Sequence, residues 1–410
     1  MKIIYYSPHP HLNLMGPTGY GTHMREMIAA FRNEGCEVLP VIMGGTDSPP
    51  NEQPDHNQKK IKDFLKKITG KRIWRTLKDL NLLRFDYFTA SKHLEEVVEN
   101  FHPDCIYERC NYLQLSGIKV AERYNITHIM EMNSPYIEET NNLGKGDSYL
   151  KKYARRVEKE QLMNTNLPLV VVGPLRDHFQ QQYAVDKDKF LVTHNAFKND
   201  KIRLDYQNQQ TIIKKYALED KTVIGFVGSI FEWHGLDKLI KAFDELDQPD
   251  TKLLIVGYGE YMANLIRLTK SLGREEEVIF TGRVPKNEVF DYIEIMDICT
   301  APAAAWYQSP VKIFEYGAMG KPILGPDTAA VREVMEPGKD GVLIAPTVEA
   351  AQNGILELLE NPERAQAMAH HFQQKVLQEY TWEKNVKKVL NALQNSVKDE
   401  AINASGGKAE

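Results

Sequence analysis

The sequence predicts an α/β chain built from two doubly wound, Rossmann-like domains that face each other across a cleft. Three observations lead there. At 410 residues the chain exceeds what one hydrophobic core usually organises, so two domains are expected. Short apolar runs alternate with stretches whose apolar residues recur at helical spacing, the rhythm of parallel strands joined by crossover helices. Glycines stand where those apolar runs end, as at Gly228, Gly257 and Gly259, which leaves the carboxyl ends of the strands open to a ligand.

In chain order, Lys2 to Tyr6 is the first strand. Met24, Met27, Ile28 and Phe31 then share one helical face, and Gly35 stops that helix. Strands follow at Val38 to Ile42, Asp104 to Tyr107, His128 to Met130 and Leu169 to Val172. In the second half they run Val223 to Val227, Lys252 to Val256 and Val278 to Thr281, with helices through Leu239 and Phe243 and through Ile266. The expected division is an N-terminal domain over 1–200, a C-terminal domain over 201–378, a C-terminal helix over 379–397 and a small, polar, disordered tail over 398–410.

Composition narrows the function. Apolar residues make up 42% of the chain, enough for two cores, and the formal net charge of −5 gives no global reason for nucleic-acid binding. No apolar run reaches the ~20 residues of a membrane span, and the N-terminal run is too short for a secretory signal, which points to the cytoplasm. Cys36, Cys105, Cys110 and Cys299 lack the paired spacing of a zinc site and read as reduced structural thiols. The phosphate loop, the nucleophile elbow and the His-Glu-x-x-His zinc motif are missing from the sequence. Asp186-Lys187-Asp188 reads as a charged turn, so no metal is expected.

Residues 309–322, Ser-Pro-Val-Lys-Ile-Phe-Glu-Tyr-Gly-Ala-Met-Gly-Lys-Pro, carry the chemistry. Ser309 can cap a helix, and Pro310 fits its first turn. The amides of Val311 and Lys312 then lie at the positive end of the helix dipole, where an anion is favoured, and the Lys312 ammonium adds a full charge. Glu315 follows one turn on, on the same face. A diphosphate at the helix tip, with its ribose hydroxyls accepted by that carboxylate, makes a sugar-nucleotide site.

This stretch resembles the signature of glycosyltransferase family 4, retaining enzymes of the B-type glycosyltransferase fold, in the subgroup reading Ser-Pro-x-Lys and then Glu-Tyr-x-Ala-x-Gly-Lys-Pro. The resemblance runs in order over about residues 1–390. It implies transfer of a sugar from a nucleotide-diphosphate sugar to an acceptor hydroxyl with retention of configuration. It also implies no cofactor or metal, and a place in bacterial surface polysaccharide or glycolipid synthesis.

The resemblance assigns roles residue by residue. Gly19 and Gly21, in Gly19-Tyr20-Gly21-Thr22, would form the first-domain lip of the donor site beside the diphosphate. Ser229 and His234 stand where many relatives carry Arg and Lys against the donor phosphates, so a hydroxyl and an imidazole replace two cations. Arg283 and Val284 would line the base, and Glu315 would take the ribose. Many relatives carry a second glutamate where this chain has Tyr307, which leaves Trp306, Tyr307, Gln308 and Ser309 to read the donor sugar. Glu131 and Asn133 alternate with Met132 at a strand's carboxyl end and would reach the transferred sugar or the acceptor hydroxyl, as catalytic candidates with Lys312. Tyr107-Glu108-Arg109 ends a neighbouring strand in the same way.

From Lys59 to Lys78 nine Lys/Arg face one acidic residue, Asp63, with Ile61, Phe64, Leu65 and Ile68 at helical spacing. Such a helix can lie on an anionic membrane and bring the first domain to the inner face of the cell membrane, where a glycan or lipid-linked acceptor would wait. It can equally be a solvated helix packed on its own domain. Three other readings of the chain remain: transfer to a small soluble acceptor, a sugar-nucleotide epimerase or phosphorylase of similar architecture, and a non-catalytic partner subunit that binds a sugar nucleotide without turnover.

Overall fold

The structure, a computed structural model, describes residues 1–16, 19–47, 56–142, 147–197 and 202–406; side chains at 56–69, 141–142 and 396–406 lie outside the description. The chain divides into two compact units. One comprises Met1–His194 together with the segment from Trp382 onward, and the other comprises Asn195–Thr381.

In the first unit, β1 (Lys2–Ser7), β2 (Glu37–Ile42), β3 (Cys105–Arg109), β4 (Thr127–Met132), β5 (Leu167–Val170) and β6 (Leu191–Val192) form a parallel sheet in the order β2-β1-β3-β4-β5-β6. The order reverses between β1 and β3, so their carboxyl ends diverge there into a crevice. Met24, Met27, Ile28 and Phe31 of the helix Gly19–Asn33 are buried on this sheet, with the Phe31 ring edge-on to Tyr107 at 5.3 Å. Replacing Phe31 with Ala would cost about 3–5 kcal/mol. Gly35, at φ 81°, takes the turn that a side chain would strain. The helix Trp382–Gly406 docks on the same unit: the Trp382 ring packs edge-on to His23 at 4.8 Å, and Asn385 Nδ2 donates to the His194 carbonyl at 2.7 Å.

In the second unit, β7 (Thr222–Val227), β8 (Thr251–Val256), β9 (Val278–Gly282), β10 (Ile298–Thr300), β11 (Ile323–Pro326) and β12 (Val342–Ile344) form a parallel sheet in the order β12-β11-β10-β7-β8-β9. Its switch point lies between β7 and β10. Ile224 and Phe226 bury on one layer of helices and Val223 and Val227 on the other, as a strand covered on both faces requires. The two ends of this unit meet: the Phe197 amide donates to the Tyr380 carbonyl at 2.9 Å, and Phe197 bridges Thr381.

Some expected boundaries shift. The apolar run at 169–172 pairs only to Val170, because Val172 already serves as the N-cap of the helix Gly173–Tyr183. The segment expected as a tail from 398 continues the last helix to Gly406, and 407–410 lie outside the described residues. Gly70 has φ 77° and ψ 153° inside the span His56–Phe85, so the basic stretch is two helices meeting at a kink; the side chains of 59–69 lie outside the described residues.

Candidate donor site and a buried carboxylate cluster

The second unit gathers its conspicuous polar groups at the β7/β10 switch point. The helix Val311–Ala318 starts there, and its N-cap is Pro310 without a side-chain cap. Ser309 differs from the expectation: its Oγ accepts from the Asn195 amide at 3.1 Å and its carbonyl from Asn195 Nδ2 at 2.6 Å, so it pins the start of the unit instead of capping the helix. The Val311 and Lys312 amides therefore keep the open end of the helix, the arrangement that favours an anion.

Lys312 is partly buried, and its Nζ stands 3.8 Å from the centroid of the Phe226 ring. Burial pulls its pKa down to about 7, although Glu315 one turn on favours the charged form. The ammonium is thus under-compensated, a cation held ready for a stronger anion than Glu315 supplies. Tyr316, the next residue of the motif, is spent on the scaffold: its phenol accepts from the Val227 amide at 2.8 Å and reaches the Thr300 carbonyl at 3.5 Å, tying the helix to both strands of the switch point. Lys321 pairs with Glu294 at 3.2 Å, away from the helix tip, and Gly317 packs where a Cβ would lie 2.6 Å from Phe372.

The loop after β7 crosses the loop after β8 at close range. The Gly228 amide donates to the Val256 carbonyl at 2.9 Å, and the Ile230 amide to the Tyr258 carbonyl at 3.2 Å. A Cβ on Gly257, at φ 135°, would lie 1.9 Å from the Gly228 oxygen, and one on Gly259 2.0 Å from the Ile230 oxygen. Gly228 itself, at φ 142°, leaves the room in which the Lys312 ammonium sits. Ser229 is exposed beside it.

His234 differs from its expected role. Its Nδ1 lies 2.7 Å from the Ser229 carbonyl, which can only accept, so Nδ1 carries the proton. Burial, with the Lys312 cation, lowers its pKa to about 3 and keeps the ring neutral. Nε2 is then a lone pair, and the ring as it stands offers no second N–H to a phosphate.

The expected sugar readers divide. Trp306 is 38% exposed and meets Tyr307 edge-on at 5.3 Å, whereas Tyr307 is buried. Gln308 accepts the Ala305 amide at 3.0 Å, closing the turn that presents Trp306. Arg283 is exposed beyond β9 and Val284 packs on the core.

In the first unit, Gly21 is the glycine that matters: a Cβ there would lie 2.4 Å from the Gly16 oxygen, while Gly19 has open space around it. Arg25 holds the same loop, its guanidinium donating to the Gly16 carbonyl at 3.2 Å and to Thr22 Oγ1 at 3.1 Å. Glu131 sits at the centre of a buried cluster. His23 Nε2 lies 2.9 Å from one carboxylate oxygen, which the Tyr107 phenol also meets; Arg109 Nη1 at 2.8 Å and Asn133 Nδ2 at 2.6 Å hold the other. Burial pushes this carboxyl up, but His23, Arg109 and Tyr107 outweigh it and hold Glu131 well below the usual carboxylate range. Glu131 is 1% exposed with both oxygens engaged, so in this arrangement it is a hub for β3, β4 and the first helix, and Asn133 is spent on it. His23 and Phe226 were not visible as site residues in the sequence, because one reads as a helix residue and the other as core until its partner is known.

Comparison with known proteins bears on these two units. Residues 208–375 match the family model described as glycosyl transferases group 1. A GDP-mannose-dependent alpha-(1-6)-phosphatidylinositol monomannoside mannosyltransferase from Mycolicibacterium smegmatis is 29% identical over 178 residues, 41% of this chain and 47% of that protein. An uncharacterized glycosyltransferase from Haemophilus influenzae is 27% identical over 288 residues, 68% of this chain and 74% of that one. The chain thus spans about half the length of the first relative and about three quarters of the second. Among solved structures, Anabaena HepE in complex with UDP superposes with a TM-score of 0.72 at 15% identity, over 96% of this chain and 100% of that one. Sucrose-phosphate synthase from Thermosynechococcus elongatus does so with a TM-score of 0.71 at 14% identity, over 96% and 98%. The chain has the two-domain, Rossmann-like fold of these glycosyltransferase structures, and over residues 208–375 it matches the group 1 glycosyl transferases.

Proposed function

We propose that this protein transfers a sugar from a nucleotide-diphosphate sugar to an acceptor hydroxyl with retention of configuration, in the synthesis of a surface glycan or glycolipid at the inner face of the cell membrane. The observation that carries the reading is the Lys312 ammonium, under-compensated over Phe226 at the open tip of a helix at a Rossmann switch point. The names of the similar proteins support the class: one is GDP-mannose-dependent and acts on a phosphatidylinositol mannoside, and HepE was solved with UDP.

In this reading the diphosphate lies against the Val311 and Lys312 amides, with the ribose on Glu315 and the base toward Arg283 and Val284. The bond from the sugar's anomeric carbon to the diphosphate oxygen breaks as the acceptor oxygen bonds to that carbon on the same face. The acceptor's proton passes to the leaving phosphate. Lys312 and the helix tip stabilise the charge that develops on the diphosphate, and no metal is needed for that. Trp306 offers an aromatic face to the sugar. Glu131 acts as a positioning residue, since its oxygens are engaged.

Thermal-shift screening of UDP, GDP, ADP and their common sugars without metal tests this, with Glu315→Ala as control. One nucleotide should stabilise the wild type by several degrees and lose most of that effect in Glu315→Ala. Acceptor-dependent release of nucleoside diphosphate should follow, unchanged by EDTA. Stabilisation without turnover of any donor would favour a non-catalytic partner, and no stabilisation by any of them would overturn the donor site.

A further inference from the structure

The His234 ring has one nitrogen committed and one open to a donor. Nδ1 gives its proton to the Ser229 carbonyl at 2.7 Å, which leaves Nε2 as a lone pair. Among the described residues no donor reaches Nε2, and the atom is open to solvent in a half-buried ring. A second proton would set an imidazolium beside the Lys312 ammonium. Both groups already share the Phe226 ring, whose centroid is 5.8 Å from that of His234 and 3.8 Å from Lys312 Nζ. Burial and that cation hold the imidazole neutral. Phosphate oxygens carry only lone pairs, so a diphosphate laid against Nε2 would set lone pair against lone pair. The partner of Nε2 has to be an O–H or an N–H.

The surroundings of the ring suit a carbohydrate. In the short 3-10 turn Glu232–His234 the Trp233 ring stacks on Phe231, with centroids 4.4 Å apart and planes at 9°, and meets His234 edge-on at 5.9 Å. Phe231 covers one face of the indole, yet Trp233 is 38% exposed. A sugar ring presents C–H groups on its face and hydroxyls at its edge, so an aromatic surface beside a hydrogen-bond acceptor matches both. The turn also touches the loop that carries Trp306. A Cβ on Gly235 would lie 3.0 Å from that of Ala303, and Ala305 with Gln308 closes the turn presenting Trp306. Trp233 and Trp306 thus stand on two loops in contact.

We propose that His234 Nε2 accepts a hydrogen bond from a hydroxyl of the transferred sugar while Trp233 packs on that sugar, so that this loop selects the sugar and leaves the diphosphate to Lys312 and the helix tip. The inference rests on the donor site proposed above and changes what the loop after β7 does there. In that site the other hydrogen-bond donors of a nucleotide sugar are already placed: the ribose hydroxyls lie on Glu315, and the base lies toward Arg283 and Val284, beyond β9. The sugar hydroxyls are what remains for Nε2. A loop that would otherwise carry a second cation against phosphate thereby becomes a reader of sugar identity.

Calorimetry on the full chain tests it, with UDP, UDP-glucose, UDP-galactose and UDP-N-acetylglucosamine, and with GDP and GDP-mannose. His234→Asn keeps an N–H for the Ser229 carbonyl and removes the lone pair at Nε2. It should weaken the sugar nucleotide that the wild type binds best about fivefold to tenfold, and leave the parent diphosphate within about twofold. Trp233→Ala, on an exposed ring, should show the same split, whereas Lys312→Met should weaken diphosphate and sugar nucleotide alike. An equal loss of both ligands in His234→Asn would overturn the proposal, since the ring would then serve the phosphates or the loop itself. So would the absence of any loss in both His234→Asn and Trp233→Ala. If neither UDP nor GDP bound the wild type, the donor site itself would fall and this inference with it.

Discussion

Removing the Lys312 charge should make the free protein more stable while it removes donor binding. The native ammonium has its pKa lowered from 10.5 to about 7 by burial. At about 1.4 kcal/mol per unit the ceiling is roughly 5 kcal/mol below pH 7, and the partial exposure of the side chain discounts this to about 2 kcal/mol. Loss of the contact with Phe226 gives back about 0.5–1 kcal/mol, most of which a methionine thioether on the same ring restores. The sign follows from the two states. The unfolded chain holds the proton up to about 10.5 and the native chain releases it near 7, so the penalty is complete below pH 7 and shrinks as pH rises toward 10. Lys312→Met should therefore melt about 4–8 °C above wild type at pH 6 and by a smaller margin at pH 9. Thermal unfolding without nucleotide at pH 6, 7.5 and 9 reads both numbers. A variant that melts below wild type at pH 6, or a gap that does not change with pH, would refute the reasoning that this lysine is buried against its own interest.

The same titration should appear in binding. With a sugar nucleotide, whose diphosphate does not titrate near neutrality, affinity should fall about tenfold from pH 6 to pH 8 as Lys312 loses its proton, and calorimetry on Lys312→Arg should show a flat profile. Gly257→Ala should prevent donor binding or the folding of the second unit, because its Cβ meets the Gly228 carbonyl at 1.9 Å, whereas Gly19→Ala should be tolerated in expression and melting tests. Glu131→Gln should cost the first unit about 3–5 kcal/mol in urea unfolding, since it leaves Arg109 buried without its anion. If turnover per folded molecule survived both Glu131→Gln and Asn133→Ala, neither residue would serve the reaction.

The layers of this fold were readable because their signals are local. Met24, Met27, Ile28 and Phe31 declare a helix face, and the valine-rich runs declare strands whatever surrounds them. The helix tip at Val311 and Lys312 was readable for the same reason, since charge, spacing and dipole all lie within one turn. What the sequence concealed is set by partners distant along the chain. Ser309 looks like a helix cap and is spent on Asn195, 114 positions away; Glu131 looks like a reacting carboxylate and is enclosed by His23, Tyr107 and Arg109. His234 looks like a phosphate donor until the Ser229 carbonyl fixes which nitrogen holds its proton.

The bridge between Phe197 and Thr381 makes the second unit a loop closed at its own base, so that it behaves in the chain as an insertion with adjoining ends. The first unit is closed in a matching way, by Asn385 on the His194 carbonyl. Each half can then be cut out and rejoined by a short linker without breaking a strand of either sheet. Residues 195–381 form a portable cassette, which can be expressed by itself or exchanged for another while the first unit stays as it is.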